Sequence, residues 1–263
     1  MQHIVFFSGG MGSWAAADRV VKEHGPDDVI LLFTDTRMED DDLYRFLTET
    51  AAELGCELRY LADGRDPWQV YKDRRFLGNH RIDPCSRILK RELSRKWVDK
   101  NCEPDTTTLY IGIDWSEIHR MEAVKRNWMP YNILAPMMEQ PYFERDELMD
   151  ALVKRGIQPP LLTRMGFAHN NCGGFCCKAG QASFKMLLDK FPDRYAYHEQ
   201  KEQEMRDFLG KDVAFLTNRR DGKRVPETMK QFRMRMQDGE QYDFLEFGGC
   251  GCFVDSEIED EDD

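Results

Sequence analysis

The 263-residue chain is predicted to fold as an α/β protein, with a parallel sheet flanked by helices and a helical, cysteine-bearing C-terminal extension. Three observations predict this class. Short apolar runs alternate with amphipathic helix patterns through residue 113, as in βαβ units. Several of these runs end in glycine or polar residues, which is where ligands bind in open α/β sheets. Beyond residue 140, charged helix patterns and glycine-set cysteines take over.

The predicted elements follow from these patterns in chain order. Residues 3–7 form the first strand, a glycine loop follows, and a helix begins near Trp14. The next strands are predicted at 29–34, 57–61 and 107–113, with a helix over 39–54 that Gly55 ends. Residues 66–102 read as mostly helical. Further helices are predicted at 144–155, at 181–209 with a break near Pro192, and at 225–238.

Composition and charge limit the function classes. The net charge is −11, but seven negative charges lie in the tail 255–263, so residues 1–254 carry only −4. Because residues 81–100 and 219–224 are locally basic, a nucleic-acid partner stays open. No apolar run is long enough to cross a bilayer and no signal segment is visible, so we expect a cytoplasmic protein without a membrane partner. Eight cysteines without such a signal favour metal, cluster or thiol chemistry over disulfides.

The loop after the first strand has the size and composition of a phosphate site. Its sequence is Ser8-Gly9-Gly10-Met11-Gly12-Ser13. Glycines let the backbone approach an anion, and the N–H groups of the following helix turn would point at it. It is not a Walker loop, because Ser13-Trp14 stands where Lys-Ser/Thr is needed. It is not a dinucleotide fingerprint either, because Ala15 and Ala16 replace the third glycine.

The remaining Ser-Gly-Gly-x-x-Ser pattern resembles the pyrophosphate-binding loop of the PP-loop ATPases, the adenine nucleotide α-hydrolase-like superfamily with a HUP-like, Rossmann-like sheet. The resemblance implies that ATP or an adenylyl nucleotide binds here with Mg²⁺. It implies nucleotide contacts from a set of loop and strand-end residues. For one of them, Asp35, the alternative role is a helix N-cap. The family commonly has Asp before the last Ser, so Gly12 removes the metal contacts expected of that side chain. The implied set is Ser8, Gly9, Gly10, Gly12, Ser13, Asp35 and Gly112.

A second motif follows the predicted strand at 107–113. It resembles the Gly-x-Arg-x-x-x-Ser-x-x-Arg element of PP-loop enzymes, with Arg120 matching the last arginine and Glu117 near the serine. Asp114 occupies the place of the first arginine. The resemblance implies catalytic roles for Glu117 and Arg120. The alternative is an ion pair within a helix, since the two residues are three apart.

The segment from Cys85 to Arg91 resembles the Cys-Cys and lysine element that ligates an iron–sulfur cluster in sulfonucleotide reductases. Ser86 replaces the second cysteine. Nearby Arg87, Lys90 and Arg91 would lower the pKa of the thiol and hold an anion. Cys85 and Lys90 are therefore catalytic candidates, while a cluster ligand or a buried apolar residue stays open for Cys85.

The clearest metal-type signal is two groups of close cysteines set among glycines. Thiolates need short flexible loops to converge, and four sulfurs suffice for tetrahedral zinc or a 4Fe-4S cluster. The layout from Pro141 to Cys172 resembles the phosphoadenosine phosphosulfate reductase-like branch, which favours iron–sulfur over zinc. His169 beside the cysteine loop is an acid–base candidate, and Trp115, Trp128 and Tyr131 could stack on a base or form core. The predicted metal ligands are Cys172, Cys176, Cys177, Cys250 and Cys252.

The function implied first is ATP-dependent sulfur transfer, or thiolation, to a nucleobase or nucleotide by an iron–sulfur enzyme. Two alternatives stay open: reduction of a sulfonucleotide, and a non-catalytic nucleotide or nucleic-acid binding module with structural zinc. The partners expected are a nucleotide or nucleobase substrate, tRNA or another nucleic acid, an unidentified sulfur donor and a second copy of the chain. We predict a nucleotide-binding domain at 1–140, a cysteine-rich helical region at 141–254 and a disordered acidic tail at 255–263.

Overall fold

The computed structural model describes residues 1–220 and 223–248. Five strands form one parallel sheet in the order β3-β2-β1-β4-β5, which confirms the predicted α/β class. Strand β1 is central: His3 pairs with Val29 of β2 and Gln2 pairs with Thr107 of β4. Strands β2 and β3 lie on one side of β1, and β4 and β5 lie on the other. The topology therefore reverses between β1 and β4. The strands are β1 Gln2–Phe6, β2 Val29–Asp35, β3 Glu57–Ala62, β4 Thr107–Tyr110 and β5 Asn132–Leu134.

Eleven helices are described around and beyond the sheet. In α2, Asp40 caps the first turn through its side chain, and Gly55 ends the helix in the left-handed conformation, as the sequence pattern predicts. Pro192 separates α9 from α10, also as predicted. The helices are α1 Met11–His24, α2 Asp41–Leu54, α3 Pro67–Arg74, α4 Pro84–Ser86, α5 Leu93–Asn101, α6 Met121–Trp128, α7 Arg145–Lys154, α8 Leu161–Arg164, α9 Gln181–Lys190, α10 Pro192–Leu209 and α11 Met229–Gln237.

Three local predictions differ from the structure. The short edge strand β5 is not predicted, because three residues carry too little periodicity to stand out. Residues 225–227 are not helical: they belong to an antiparallel hairpin of β6 (Leu216–Arg220) and β7 (Lys223–Glu227), and Thr228 caps α11 after it. Between α4 and α5, the segment Arg87–Glu92 is a π-helix. Such widened turns occur often at functional sites.

The buried side chains fall into three clusters. Two cover the faces of the sheet, one with α1, α2 and α7 and the other with α5 and α6. The third joins Trp68 and Tyr71 of α3 and Cys85 of α4 to Phe175, Cys177 and the C-terminal helices. This third cluster anchors the cysteine loop to the segment that carries Cys85. Among the described residues, no helix is both long and apolar enough to cross a membrane.

Candidate active site at the sheet switch point

A pocket of about 410 Å³ opens at the carboxyl ends of β1 and β4. It lies where the strand order reverses, which is where open α/β sheets bind ligands. One wall is the loop after β1 and the opposite wall follows β4. The start of α7 and the segment that leads into the cysteine loop complete it. The lining residues are Ser8, Gly10, Met11, Gly12, Ser13, Gly112, Asp114, Trp115, Ser116, Phe143, Glu144, Arg145, Leu148, Thr163, Ala168, His169, Asn170 and Asn171.

The loop after β1 presents backbone groups to this pocket. Helix α1 begins at Met11 without a side-chain cap on its first turn and without an acidic residue there. Ser13 Oγ donates to the Gly10 carbonyl at 2.8 Å, so it closes the loop on itself. At Gly9, where φ is +76°, a Cβ would lie 2.5 Å from Leu43 Cδ1, so only glycine fits. The first-turn N–H groups and the positive end of the helix dipole are left for an anion.

The two walls meet through glycine backbone. A Cβ on Gly112 would lie 2.7 Å from Ser13 N and 2.8 Å from the carbonyl carbon of Gly12. A Cβ on Gly12 would lie 3.0 Å from the Gly112 carbonyl oxygen. A side chain at position 12 would therefore lie against the backbone that follows β4.

In the motif after β4, one residue lines the pocket and two others lie away from it. Asp114 lines the pocket and accepts hydrogen bonds from Ser116 N at 2.8 Å and Ser116 Oγ at 2.6 Å. Glu117 and Arg120 form an ion pair on the short 3-10 turn that follows, and neither lines the pocket. The arrangement matches the intrahelical ion pair that the sequence allows as their alternative role.

Asp35, at the end of β2, does not line this pocket. Its Oδ1 accepts hydrogen bonds from Tyr44 Oη at 2.8 Å and from Arg37 N at 2.7 Å. Burial and this hydrogen bond to Asp35 raise the pKa of Tyr44 above its ordinary value. The side chain of Asp35 thus ties the end of β2 to α2, while the N-cap of α2 is Asp40.

The segment before the cysteine loop forms the floor of the pocket. Asn170 Nδ2 donates to the Gly9 carbonyl at 3.4 Å, which joins this floor to the glycine loop. Both ring nitrogens of His169 are buried and have no hydrogen-bond partner among the described residues. Burial, helped by the charge of Lys90, lowers the pKa of His169 to about 4. At neutral pH, His169 therefore offers the pocket one donor and one acceptor.

A second, smaller cavity of about 20 Å³ lies behind this floor. Four thiols line it, those of Cys85, Cys172, Cys176 and Cys177, and Lys90 lines it too. The structure therefore brings the predicted pair Cys85 and Lys90 to the predicted cysteine cluster, although they are far apart in sequence. Asn171 lines both this thiol cavity and the pocket at the switch point.

Within the thiol cavity, Cys85 Sγ lies 3.9 Å from Cys177 Sγ and 3.2 Å from Tyr71 Oη. The hydrogen bond with Cys177 lowers the pKa of Cys85, with Tyr71 adding to the effect against the cost of burial. The pKa of Cys177 is raised by its hydrogen bonds to Cys176 and Cys85 and by burial. Of the two thiols, Cys85 therefore has the greater thiolate character.

Cys172 is held in an unusual conformation by a buried carboxylate. Its φ of +51° is rare for a residue other than glycine. Glu39 accepts a hydrogen bond from Cys172 N at 2.7 Å and one from Thr36 Oγ1 at 2.9 Å. Lys90 Nζ lies 3.6 Å from Glu39 and donates to Asn171 Oδ1 at 3.1 Å. A buried network thus positions the cysteine loop against the segment after β2.

The donor set suits a sulfur-ligated group in its chemistry. Thiolates are the ligands of iron–sulfur clusters and of structural zinc. The 3.9 Å between the Cys85 and Cys177 sulfurs is close to the separation of about 3.8 Å that a Zn–S length near 2.3 Å implies. Across residues 1–220 and 223–248, however, no three His, Cys, Asp or Glu side chains are arranged to hold a single ion. Cys250 and Cys252 lie outside the described residues.

Sequence reasoning did not place Glu39, Asn170 or Asn171 beside the cysteines. From the sequence, the acidic run 39–42 could hold Mg²⁺ or form a solvated helix start, yet the side chain of Glu39 is only 1% exposed. The signal available was the pair of asparagines directly before Cys172, which lack a packing role in the sequence pattern. Their burial beside the glycine loop depends on tertiary packing.

No family model matches this chain, and no curated protein matches its sequence. Among solved structures, it is similar to a phosphoadenylyl-sulfate (PAPS) reductase from Candida auris, with 12% identity and a TM-score of 0.46 over 65% of this chain and 81% of that chain. It is also similar to the U34-tRNA thiolase NcsA from Methanococcus maripaludis with its 4Fe-4S cluster, with 14% identity and a TM-score of 0.44 over 80% of this chain and 71% of that chain. These are likenesses of fold alone.

Fold and site together define an α/β protein with a five-stranded parallel sheet and a pocket at the switch point of that sheet. The predicted fold class, a parallel sheet flanked by helices, is confirmed.

Proposed function

We propose that this chain is an enzyme that binds ATP or an adenylyl nucleotide and transfers sulfur to a nucleobase or nucleotide. The observation that carries the proposal is the adjacency of two pockets. Asn171 lines both the pocket at the switch point and the thiol cavity, and Asn170 bonds to Gly9 in the glycine loop. Nucleotide activation and sulfur chemistry would thus meet across one wall.

The phosphates of the nucleotide would lie on the glycine loop. The uncapped first turn of α1 favours an anion, and Ser8 and Ser13 offer hydroxyl groups beside it. Mg²⁺ would offset the remaining charge. Asp114 would offer the metal a carboxylate and Arg145 would offer the phosphates a guanidinium, since both residues line the pocket. In this proposal Glu117 and Arg120 hold the turn that carries Asp114, and Asp35 holds the end of β2.

The chemistry would proceed in two balanced steps. A carbonyl oxygen of the acceptor attacks the α-phosphorus of ATP, and pyrophosphate leaves. A donor of the hydrosulfide class then attacks the adenylated carbon, AMP leaves, and the proton of the hydrosulfide is lost. His169, neutral and without a partner among the described residues, would orient the acceptor by a hydrogen bond.

Cys85, Cys172, Cys176 and Cys177 would be thiolate donors to a 4Fe-4S cluster, with Cys250 and Cys252 as further candidates. A bound cluster supplies iron that can carry sulfide or electrons. Lys90 would remain beside the thiolates and favour their negative charge.

The test uses the full chain, purified without oxygen, and measures iron, sulfide and zinc content. Pyrophosphate release from ATP is then followed with inorganic sulfide and an unmodified tRNA transcript or nucleoside as acceptor. We expect release that depends on the acceptor, with Ser13→Ala at least about tenfold slower. The control variant Thr48→Ala, which changes an exposed residue, should release pyrophosphate at the wild-type rate.

Two other results would contradict sulfur transfer. Sulfite release from a sulfonucleotide with a thiol reductant, without ATP cleavage, would identify a reductase. Stoichiometric zinc with nucleotide binding but no turnover would identify a binding module.

A further inference from the structure

We propose that Trp115 and Phe143 form a stacking platform for a nucleobase at the mouth of the pocket at the switch point. The inference rests on the proposed function, because it names the chemical group that the outer half of the same pocket recognises. It does not depend on which reaction follows, since it concerns binding alone.

The first observation is the exposure of aromatic rings at one place. Trp115 is 47% exposed, Phe143 38% and Tyr142 50%. Trp115 and Phe143 line the pocket, and the ring centroids of Trp115 and Tyr142 are 6.0 Å apart. Single exposed apolar residues are ordinary, whereas a group of them at a cavity marks a binding site.

The second observation is that both rings project from fixed backbone. The guanidinium of Arg19 lies 5.2 Å from the Phe143 ring centroid. The same guanidinium donates to the carbonyls of Pro136 at 2.6 Å and Glu139 at 2.9 Å, and it also bonds to Pro141. Asp114 likewise fixes the turn that carries Trp115. The backbone that carries the two rings is therefore fixed before a ligand arrives, which lowers the entropy lost on binding.

The third observation is the mixed chemistry of the pocket lining. The glycine loop with the helix start of α1 suits a phosphate, and the half-exposed rings of Trp115 and Phe143 line the same pocket. A nucleotide combines an anionic group with a flat aromatic face in one molecule. Because every base has such a face, stacking of this kind tolerates different bases. The chemistry fits either the adenine of ATP or the base of the acceptor.

The experiment compares the full-length wild type with Trp115→Ala, Trp115→Phe and Phe143→Ala by calorimetric titration. The probes are ATP, inorganic tripolyphosphate and a short single-stranded oligoribonucleotide. Phe244→Ala, which removes a 66% exposed ring that does not line the pocket, serves as the matched control.

We expect Trp115→Ala and Phe143→Ala to weaken binding of at least one base-containing probe roughly tenfold to a hundredfold, with tripolyphosphate unchanged. Trp115→Phe should restore most of the affinity. A loss confined to the oligoribonucleotide would assign the platform to the acceptor base, and a loss for ATP would assign it to adenine.

Three results would overturn the platform: both base-containing probes bind the Ala variants as tightly as the wild type, tripolyphosphate weakens equally, or the wild type binds neither base-containing probe. Failure of the wild type to bind tripolyphosphate would count against the proposed phosphate site instead. A loss of oligoribonucleotide binding in Trp115→Ala would still support the platform in that case.

Discussion

Gly12 and Gly112 pack backbone against backbone, so that a Cβ on Gly112 would lie 2.8 Å from the carbonyl carbon of Gly12. This approach joins the loop after β1 to the segment after β4, and both glycines line the pocket. The glycine loop is therefore shaped by its neighbour in the sheet as well as by its own sequence.

The substitution Gly112→Ala should destabilise the protein by about 1–3 kcal/mol and weaken tripolyphosphate binding, because backbone atoms cannot move aside as a side chain can. Urea unfolding and calorimetry measure the two effects. Gly10→Ala is the control for stability, since its Cβ would meet only Ser8 Oγ at 3.6 Å. A Gly112→Ala variant as stable as Gly10→Ala would contradict the close approach.

Replacing any one of the four thiols in the cavity by serine should remove most of the bound metal or cluster. Serine oxygen is a poor ligand for the soft metal sites that thiolates hold. Cys56→Ser and Cys102→Ser are matched controls, because these cysteines are also free in the structure but lie away from the cavity. Metal and sulfide analysis with visible absorption provides the readout. Full loading of all four variants would place the ligands elsewhere, with Cys250 and Cys252 the next to test.

Removal of only one partner of the buried ion pair between Lys90 and Glu39 should strongly lower the free energy of unfolding. In Lys90→Met, the carboxylate of Glu39 stays buried without this charge partner, which costs about 3–5 kcal/mol in comparable sites. The double variant Lys90→Met/Glu39→Gln should lose less than the sum of the two single changes, as measured by a urea-unfolding cycle. Lys22, whose side chain is 65% exposed and pairs with Asp18, is the control, and Lys22→Met should cost no more than about 0.5 kcal/mol. Simple additivity at Lys90 and Glu39 would argue against their coupling.

Protonation of His198 should lower the free energy of unfolding at acidic pH. It is buried against Phe175, with ring centroids 3.8 Å apart, and its Nδ1 accepts a hydrogen bond from Trp68 Nε1 at 3.2 Å. Burial, with a smaller effect from Arg194, lowers its pKa to about 3. Because the unfolded chain then binds a proton more readily, stability is fully present above pH 6.5 and falls as the pH drops toward 3, by about 5 kcal/mol at most.

The variant His198→Gln, which keeps an acceptor for Trp68, isolates this effect. The difference in unfolding free energy between wild type and His198→Gln is measured in urea from pH 7 to pH 4. As the pH falls, the variant should become more stable relative to the wild type. A difference that does not change with pH would show that His198 is not the titrating group.

The sequence by itself determined the local elements. An apolar run, a glycine loop and an alanine-rich helix start predict β1, the loop and α1, because each depends on neighbours within a few residues. The end of α2 at Gly55 and the break at Pro192 follow from the same local backbone chemistry. The predicted site residues on these elements, such as Ser8 and Ser13, accordingly line the pocket.

Only the tertiary structure decided which of these local features meet. The order of the sheet puts the end of β4 beside β1, so Gly112 lines the pocket, whereas Asp35 at the end of β2 does not. Packing of α3 and α4 against the C-terminal helices brings Cys85 to Cys177 across 92 positions of sequence. Periodicity and spacing report only on neighbours along the chain, whereas contacts at this distance depend on sheet order and helix packing. For the same reason, only the folded chain shows that Trp115 is exposed at the pocket and Trp128 is buried in the core.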